Sequence, residues 1–552
     1  MPMGAELFVD ALEQLGLRDI FTLVGDHLNE ALLEAARRGL RIFDMRHESG
    51  VTHAADVWAR LKRGPALAMV TGGPGHTNAL TGMATANLAA SPLIVVSGSR
   101  ASTAAQRQAF QDLDQFGAAQ PLVKWAAEVP AASQIPFYLG RAWAEATAGR
   151  MGAVHLTIPV DVFRAQALGP AVVPRFAAAP PQPDPRDIDR ALALLEAAER
   201  PIVIAGSGIW WARAEDELRG FIEQTSLPLY TITMARGLIP DDHPLVMGYA
   251  DPAMCRTVLE AFREADLFLI LGKRLDYRLA LGGPRLFPSE ARFIQVDIHP
   301  QELGMNRRLE IGICADVKAT LQALLAGLGR GAWRPSPWLD RLRALRRQWE
   351  DYLAGLAEDR GAPIHPVAFY AELKQALPPG TLYSWDGANF PHWGRASMPA
   401  RIPGGWVRLG PLGTIGAGLP NALALQLANP GKPVALITGD GSLGFYLIEL
   451  DTAVRHRLPL VIIVGNDGCW GLERDLQLAT AGVARTVACD LRQTRYDLVM
   501  KGFGGDGETV ESLDQVRPAV ERAFSSGMPY LLNVLIRGIR SPFTDWQIAG
   551  KR

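Results

Sequence analysis

An excess of charge of either sign is the first thing this 552-residue chain lacks: 56 Lys and Arg stand against 57 Asp and Glu, a formal net charge of −1. Without a long basic or acidic run, no nucleic-acid footprint and no polybasic membrane anchor is expected. Cysteine is scarce as well. Cys255, Cys314, Cys469 and Cys489 lie far apart and match neither a disulfide framework nor a zinc spacing, so a reducing cytoplasm is the simple expectation. No apolar run approaches the roughly 20 residues that a membrane helix needs. The opening "MPMGAELFVDALEQLG" carries Glu6 and Asp10 within an amphipathic pattern, unlike the basic-then-apolar order of a signal peptide.

What the chain has is length and a repeated alternation of short apolar runs with helical patterns. At this size one hydrophobic core does not suffice, and about three domains are expected. The Pro/Ala-rich "GPAVVPRFAAAPPQPDPRD" (169–187) cannot hold a helix or a central strand and reads as a linker. A second break runs from "GRGAWRPSPW" to "DRGAPIHP" (329–366) and encloses one charged helix, "LDRLRALRRQWEDYLAGL". The resulting division is 1–175, 185–330 and 350–537, with a tail from 538 to 552. Each of the three regions reads as α/β, a doubly wound parallel sheet with helices on both faces.

Regions one and three echo each other. "PALAMVTGG" leads into Pro74-Gly75, a helix, Ser91-Pro92 and "LIVVSG", while "PVALITGDG" leads into a helix, Leu458-Pro459 and "LVIIVG". One strand-turn-helix-strand unit is used twice, although any doubly wound protein repeats that unit.

The most informative stretch is "ITGDGSLGFYLIELDTAVRHRLPLVIIVGND" (437–467). Ligands of parallel α/β sheets bind beyond the carboxyl ends of strands, and Gly439-Asp440-Gly441 stands at such an end, ahead of a helix start suited to phosphate. Asp440 is an anion placed where a phosphate belongs, so a cation is expected between them. Mg²⁺ fits, because it takes oxygen ligands shared between one or two protein groups and a diphosphate. Asn466, at the end of the next strand, supplies an amide oxygen, and the Gly468 carbonyl a third ligand. The plain alternative is a turn with Asp440 as a helix cap.

The pairing of "GDGS" with that asparagine resembles the thiamine diphosphate signature, and the resemblance covers the whole chain. "GPLGTIGAGLP" (410–420) resembles the segment that supports the bent cofactor, with Ile415 as its apolar wedge; "DMRHESG" (44–50) resembles the segment carrying the activating glutamate. "TGGPGHTNALTGMATANLAASPLIVVSG" follows as in the acetolactate-synthase-like branch. The resemblance implies a pyrimidine-binding first domain, a Rossmann-like central domain, a diphosphate-binding third domain, and the cofactors thiamine diphosphate and Mg²⁺. It places Glu48, Pro74, Gly75, Asn78, Asn389, Gly413, Thr414, Ile415, Gly439, Asp440, Gly441, Ser442, Asn466 and Gly468 around the cofactor, with Asp440, Asn466 and Gly468 on the metal. Glu48 would exchange a proton with the far pyrimidine nitrogen and so promote the imino form that acts as internal base. Because the site's halves lie on equivalent domains, a homodimer or homotetramer with sites between subunits is implied.

Departures from each branch narrow the reaction. "QAFQDLDQFG" (108–117) carries Gln111 where decarboxylases of the pyruvate type have a histidine pair, and Glu48 is present where glyoxylate carboligases lack it. Asp26-His27, in "VGDHLNE", resembles the decarboxylases and is expected to face the substrate. "MARGLIPDDHP" (234–244) and the segment 291–324 resemble 2-hydroxyacyl-CoA lyases and oxalyl-CoA decarboxylases, and acetolactate synthases share much of both. "GSGIWW" (206–211) lacks the third glycine of a dinucleotide fingerprint, so it gives only weak support for a flavin or nicotinamide site, and ADP, CoA or a flavin stays open for the central domain. The tail carries Arg537, Arg540, Lys551 and Arg552 around Phe543 and Trp546, a make-up suited to a lid that holds a nucleotide phosphate. The expected activity is carbon-carbon cleavage of a 2-hydroxyacyl-CoA, with acetolactate-synthase-like or 2-oxo-acid decarboxylase chemistry as the alternative.

Overall fold

The computed structural model describes all residues except 168–171, 175–178, 330–332, 334–335, 481, 483–484 and 552, and the side chains of residues 480 and 551. Much of the 169–187 linker therefore lies outside the described residues.

Three six-stranded parallel sheets follow one another along the chain. The first contains β1 (Asp19–Thr22), β2 (Arg41–Asp44), β3 (Ala66–Val70), β4 (Leu93–Ser99), β5 (Trp125–Glu128) and β6 (Val154–Pro159) in the order 2-1-3-4-6-5. The second contains β7 (Pro201–Ala205), β8 (Leu229–Thr231), β9 (Val246–Tyr249), β10 (Leu267–Leu271), β11 (Arg292–Asp297) and β12 (Ile311–Cys314) in the order 12-11-10-7-8-9. The third contains β13 (Leu382–Trp385), β14 (Trp406–Arg408), β15 (Val434–Gly439), β16 (Val461–Asn466), β17 (Asp506–Val510) and β18 (Tyr530–Leu535) in the order 14-13-15-16-18-17. Counted within each sheet, the first and third orders are identical. The echo read between Gly75 and Gly441 thus extends to whole-sheet topology. The second sheet has the two-sided order in which the chain reverses beside its first strand, the arrangement that opens a crevice at that switch point.

The inner strands are apolar on both faces, as parallel strands sandwiched between helices must be. Every residue of β3 and β7, and Val434–Thr438 of β15, is buried. Helices Glu48–Lys62 and Gly418–Ala428 join the first and third domains in one core, where Val51, Val57 and Trp58 pack with Leu419, Leu423 and Leu450. The central domain attaches to both. Trp210 Nε1 donates to the Arg60 carbonyl at 2.8 Å, and the Arg63 guanidinium lies 3.6 Å from the Trp210 ring. The charged helix Pro337–Ala357 spans domains: Trp338, Leu339, Leu342 and Leu345 join the central core, whereas Leu353 and Leu356 pack on the third.

The chain end is also built into the structure. Helix Pro542–Lys551 lays Phe543 and Trp546 against the central core, with the Arg285 guanidinium 3.5 Å from the Trp546 ring. Among the tail cations, Arg537 pairs with Asp359 at 2.9 Å and Arg540 approaches Asp545 at 3.8 Å. The Lys551 side chain and Arg552 lie outside the described residues.

Candidate active site

The pairing of β15 with β16 explains the acid and the amide at neighbouring strand ends. In this register Gly439 stands opposite Gly465, so Asp440 and Asn466 leave the sheet side by side. Asp440 starts the short helix Asp440–Gly444 and is 3% exposed. Its Oδ1 accepts the Gly441 N–H at 2.9 Å, while Oδ2 is buried with no hydrogen-bond partner. Burial, reinforced by the nearby Asp467, pushes this carboxyl up to about 7. A buried carboxylate oxygen without a donor, next to a second acid, is the electrostatic complement of a cation.

The asparagine beside it is held by hydrogen bonds at both ends of its amide. Its Nδ2 donates to the Thr494 carbonyl at 3.0 Å and to Asn533 Oδ1 at 2.9 Å, which fixes the amide, and its Oδ1 accepts the Gly468 N–H at 3.2 Å. Gly468 turns with φ +63°, a conformation glycine adopts freely. One lone pair of the Gly468 carbonyl is already taken by the Leu491 N–H at 2.7 Å, leaving the other. Among the described residues no group of three or more His, Cys, Asp or Glu could hold a metal. The donor set thus fits a hard cation completed by phosphate oxygens, as Mg²⁺ is bound, and not a self-sufficient protein cage.

Ile415 is half-buried on the wall of the same cleft, not in a core. Its loop, with Gly413 at φ +75° and Gly416 at φ +88°, is pinned by Asp386, whose two oxygens accept the N–H groups of Gly416 at 3.1 Å and Gly418 at 3.0 Å. Asp386 follows β13 directly, and burial raises its carboxyl to about 6. The sequence reading missed this residue although its signal, an acid closing an apolar strand in "LYSWDGAN", was the one that revealed Asp440. Thr414 Oγ1 lies 3.1 Å from Thr85 Oγ1 of the first domain. Gly439, Gly441 and Ser442 line the cleft, and a side chain at position 441 would strike the Trp470 ring.

Asn389 occupies the cleft wall but is engaged by protein. Its Nδ2 donates to Asp475 at 2.9 Å, and its Oδ1 accepts from the Ser541 N–H at 3.2 Å and the Thr544 hydroxyl at 2.5 Å. The C-terminal helix is therefore fastened to the cleft, and Arg537, Gly538 and Ile539 form part of its lining.

The first domain gathers the other group of predicted residues. Glu48 opens its helix at 8% exposure, and Asn78 Nδ2 donates to its Oε2 at 2.9 Å. Pro74 begins the helix that carries Asn78, and a side chain on Gly75 would reach to 3.3 Å of Glu48 Oε1. At the neighbouring strand ends, His27 is buried and Asp26 exposed. Burial lowers the His27 pKa, so the ring is neutral near pH 7. Its Nδ1 accepts the Gly72 N–H at 3.2 Å, which leaves the proton on Nε2 and makes His27 a donor there. Gln111 adopts φ +58° and packs toward Gly73. Gln115, also missed, bridges the Gly73 N–H at 3.0 Å and the Gly98 carbonyl at 3.1 Å.

Within one chain these two groups do not form one pocket. The cleft around Asp440 is lined only by residues from Pro366 onward. What links Glu48 to the third domain is a further buried acid. Glu449 Oε1 accepts the N–H groups of Arg46 at 3.2 Å and His47 at 3.1 Å, immediately before Glu48, and Ser49 Oγ lies 2.7 Å from Tyr446 Oη. Burial, opposed by these hydrogen bonds, raises the Glu449 carboxyl to about 7.

A separate cavity of about 230 Å³ opens at the carboxyl ends of β7, β10 and β11, where the central domain meets the other two. Arg150, Lys273, Arg274 and Arg278 line it with Asp276, Asp297, Glu302 and Asp316, and Lys273 pairs with Asp276 at 2.6 Å. Gly208 and Gly272 meet backbone to backbone, so a side chain on either would strike the other. That contact supplies the close approach that "GSGIWW", read alone, lacked.

Residues 2–118 match the N-terminal TPP binding domain of thiamine pyrophosphate enzymes, 188–324 their central domain and 386–534 their C-terminal TPP binding domain. The chain is 34% identical over 536 residues to the acetolactate synthase large subunit of Mycobacterium tuberculosis, covering 96% of this chain and 95% of that protein. It is 30% identical over 551 residues to 2-hydroxyacyl-CoA lyase 1 of Mus musculus, at 97% and 94% coverage. Oxalyl-CoA decarboxylase of Escherichia coli is 30% identical over 547 residues, at 97% and 95% coverage.

Two outcomes are expected from these acids. If Asp440 holds a cation that offsets the diphosphate charge, calorimetric titration of Asp440→Ala with thiamine diphosphate in excess Mg²⁺ should show no binding heat; wild-type affinity would contradict the assignment. Glu449 behaves differently. Its folded pKa of about 7 lies above the 4.5 of an exposed glutamate, so the folded chain holds the proton more tightly between these values. The stability this confers is fully present below about pH 4.5 and is lost as pH rises through 7. The melting-temperature advantage of the wild type over Glu449→Gln should therefore shrink from about pH 5 to about pH 8; an advantage that grows over this range would contradict it.

Proposed function

The chain belongs to the thiamine pyrophosphate enzyme family, and on that footing we propose that it cleaves the C1–C2 bond of a 2-hydroxyacyl-CoA, giving formyl-CoA and an aldehyde or ketone. The reaction balances without an oxidant. The hydroxyl proton leaves as C2 becomes a carbonyl, and C1 takes up a proton in formyl-CoA. Thiamine diphosphate, when bound, supplies a nucleophilic carbon and a sink for the electrons of the broken bond.

The protein's own groups divide the remaining work. Glu48, kept in place by Asn78 and by the backbone turn that Glu449 holds, exchanges a proton with the far pyrimidine nitrogen. Asp440, Asn466 and the Gly468 carbonyl would hold Mg²⁺, whose charge would offset that of the diphosphate. Gly413, Thr414 and Ile415 support the cofactor from a loop that Asp386 pins. His27, with its proton on Nε2, donates to a substrate oxygen, and Gln111 gives that face an amide where decarboxylases of the pyruvate type have a histidine pair. Because the Asp440 cleft has no lining from the first domain, Glu48 reaches it from another copy, in a homodimer or homotetramer.

The observation that carries the thioester reading is the chain end. Residues 537–539 line the cleft and Asn389 clasps the helix that follows. A CoA thioester brings a long arm whose binding energy acts far from the reacting bond, and a C-terminal wall gives that arm something to bind while excluding water. The central cavity, at the carboxyl ends of parallel strands beside a glycine-lined turn, suits a nucleotide-containing ligand. Unpaired cysteines among the described residues suit a reducing cytoplasm, and no helix of the described residues is long and apolar enough to cross a membrane.

The higher identity to a protein named acetolactate synthase favours a second reading, condensation or decarboxylation of 2-oxo acids without CoA. Mass-spectrometric product analysis of the loaded enzyme, given 2-hydroxyacyl-CoAs and pyruvate in parallel, separates them. Formyl-CoA from the thioesters is expected. Acetolactate or acetaldehyde from pyruvate, with no formyl-CoA from any thioester, would replace the first reading by the second.

A further inference from the structure

A second large cavity, of about 400 Å³, lies where the edge of the second sheet, the Pro337–Ala357 helix and the third domain meet. It shares no lining residue with the Asp440 cleft or the central cavity. Met247, Met254, Leu345, Trp349 and Val367 give it an apolar wall. Its charged lining is unbalanced. Arg236, Arg346, Lys374, Arg395 and Arg401 face Asp241 and Glu350, five cations against two carboxylates.

Three of these cations are committed. Arg236 forms a two-pronged pair with Asp241, Arg346 reaches Glu350 at 2.9 Å and the Val246 carbonyl at 2.9 Å, and Arg401 reaches Asp242 at 3.0 Å. Arg395 is not. Its residue is 6% exposed, and its Nε is buried without a hydrogen-bond partner. Asp251, the acid whose charge acts on it, is already paired with Arg278 at 2.7 Å. Lys374 stands exposed at the rim, its nearest influences being Arg401 and Glu350.

A buried guanidinium without an anion is costly, and evolution or chemistry ordinarily supplies a partner. The donors left over are one planar fork and one flexible ammonium. A fork matches the two oxygens of a carboxylate, and the apolar wall beside it calls for a ligand that carries a hydrocarbon tail, which inorganic phosphate lacks. We propose that this cavity binds a small carboxylate with an apolar tail, its carboxylate on Arg395 and its tail against Met247, Met254 and Trp349. Helix Asn389–Ser397 carries Arg395 near one end and Asn389, on the wall of the cofactor cleft, at the other. The proposal does not depend on which reaction the enzyme performs.

Calorimetric titration of the full-length, cofactor-loaded protein with hexanoate, hexan-1-ol and inorganic phosphate tests it. Hexanoate should bind saturably, one per chain, and at least about tenfold more weakly in Arg395→Met, the loss expected for a charge-assisted pair. Since Arg395 is buried and its replacement can disturb folding, the exposed Lys374→Met is the second variant, with a few-fold loss expected. No saturable hexanoate binding, or unchanged affinity in Lys374→Met together with a folded Arg395→Met, would overturn the proposal. So would hexan-1-ol binding as tightly as hexanoate, or phosphate binding in its place.

Discussion

Asp440 is an acid that the fold buries without giving one of its oxygens a hydrogen-bond partner, and the site is organised around that constraint. The carboxylate sits at the end of β15 because the parallel register with β16 sets it beside Asn466. Asn533, a lone amide in the apolar β18, turns the Asn466 side chain so that its oxygen is the group presented. A cation bound here would relieve the cost of burying Asp440 and would draw a diphosphate to the adjoining helix start.

Other buried acids hold the pieces that act around it. Asp386 fastens the Ile415 loop through two backbone N–H groups, and Glu449 fastens the turn before Glu48 through two more. Both are pushed up by burial, to about 6 and about 7, so neither is a simple ion-pair partner. Each exchanges solvation for backbone hydrogen bonds that fix a loop. The seam between the first and third domains is held in this way while their helices share one apolar core.

Sheets, domain order and the Asp440–Asn466 pairing were legible in the sequence because they depend on local pattern: apolar runs of strand length, glycine at turns, polar residues at strand ends. The identical 2-1-3-4-6-5 order of the first and third sheets was foreshadowed only by the matching Gly75 and Gly441 segments. Glu449 and Gln115 were not legible, since their partners are 403 and 42 residues away and depend on tertiary packing. The tail shows the same limit. Its composition suggested cations facing a ligand, but Arg537 meets Asp359, and what fastens the segment is Asn389, through Ser541 and Thr544. Arg395 reads in sequence as an ordinary helix arginine; only the packing around it leaves it without an anion.

If Glu48 of one chain serves Asp440 of another, two differently broken chains can repair each other. Glu48→Gln and Asp440→Ala proteins, each inactive alone, would be unfolded, mixed in equal amounts and refolded together, and the turnover of the mixture measured. Random pairing into dimers leaves one intact site in the mixed half of the population, so recovery of about a quarter of wild-type activity is predicted. No recovery in a mixture shown to contain mixed oligomers would contradict a site shared between chains.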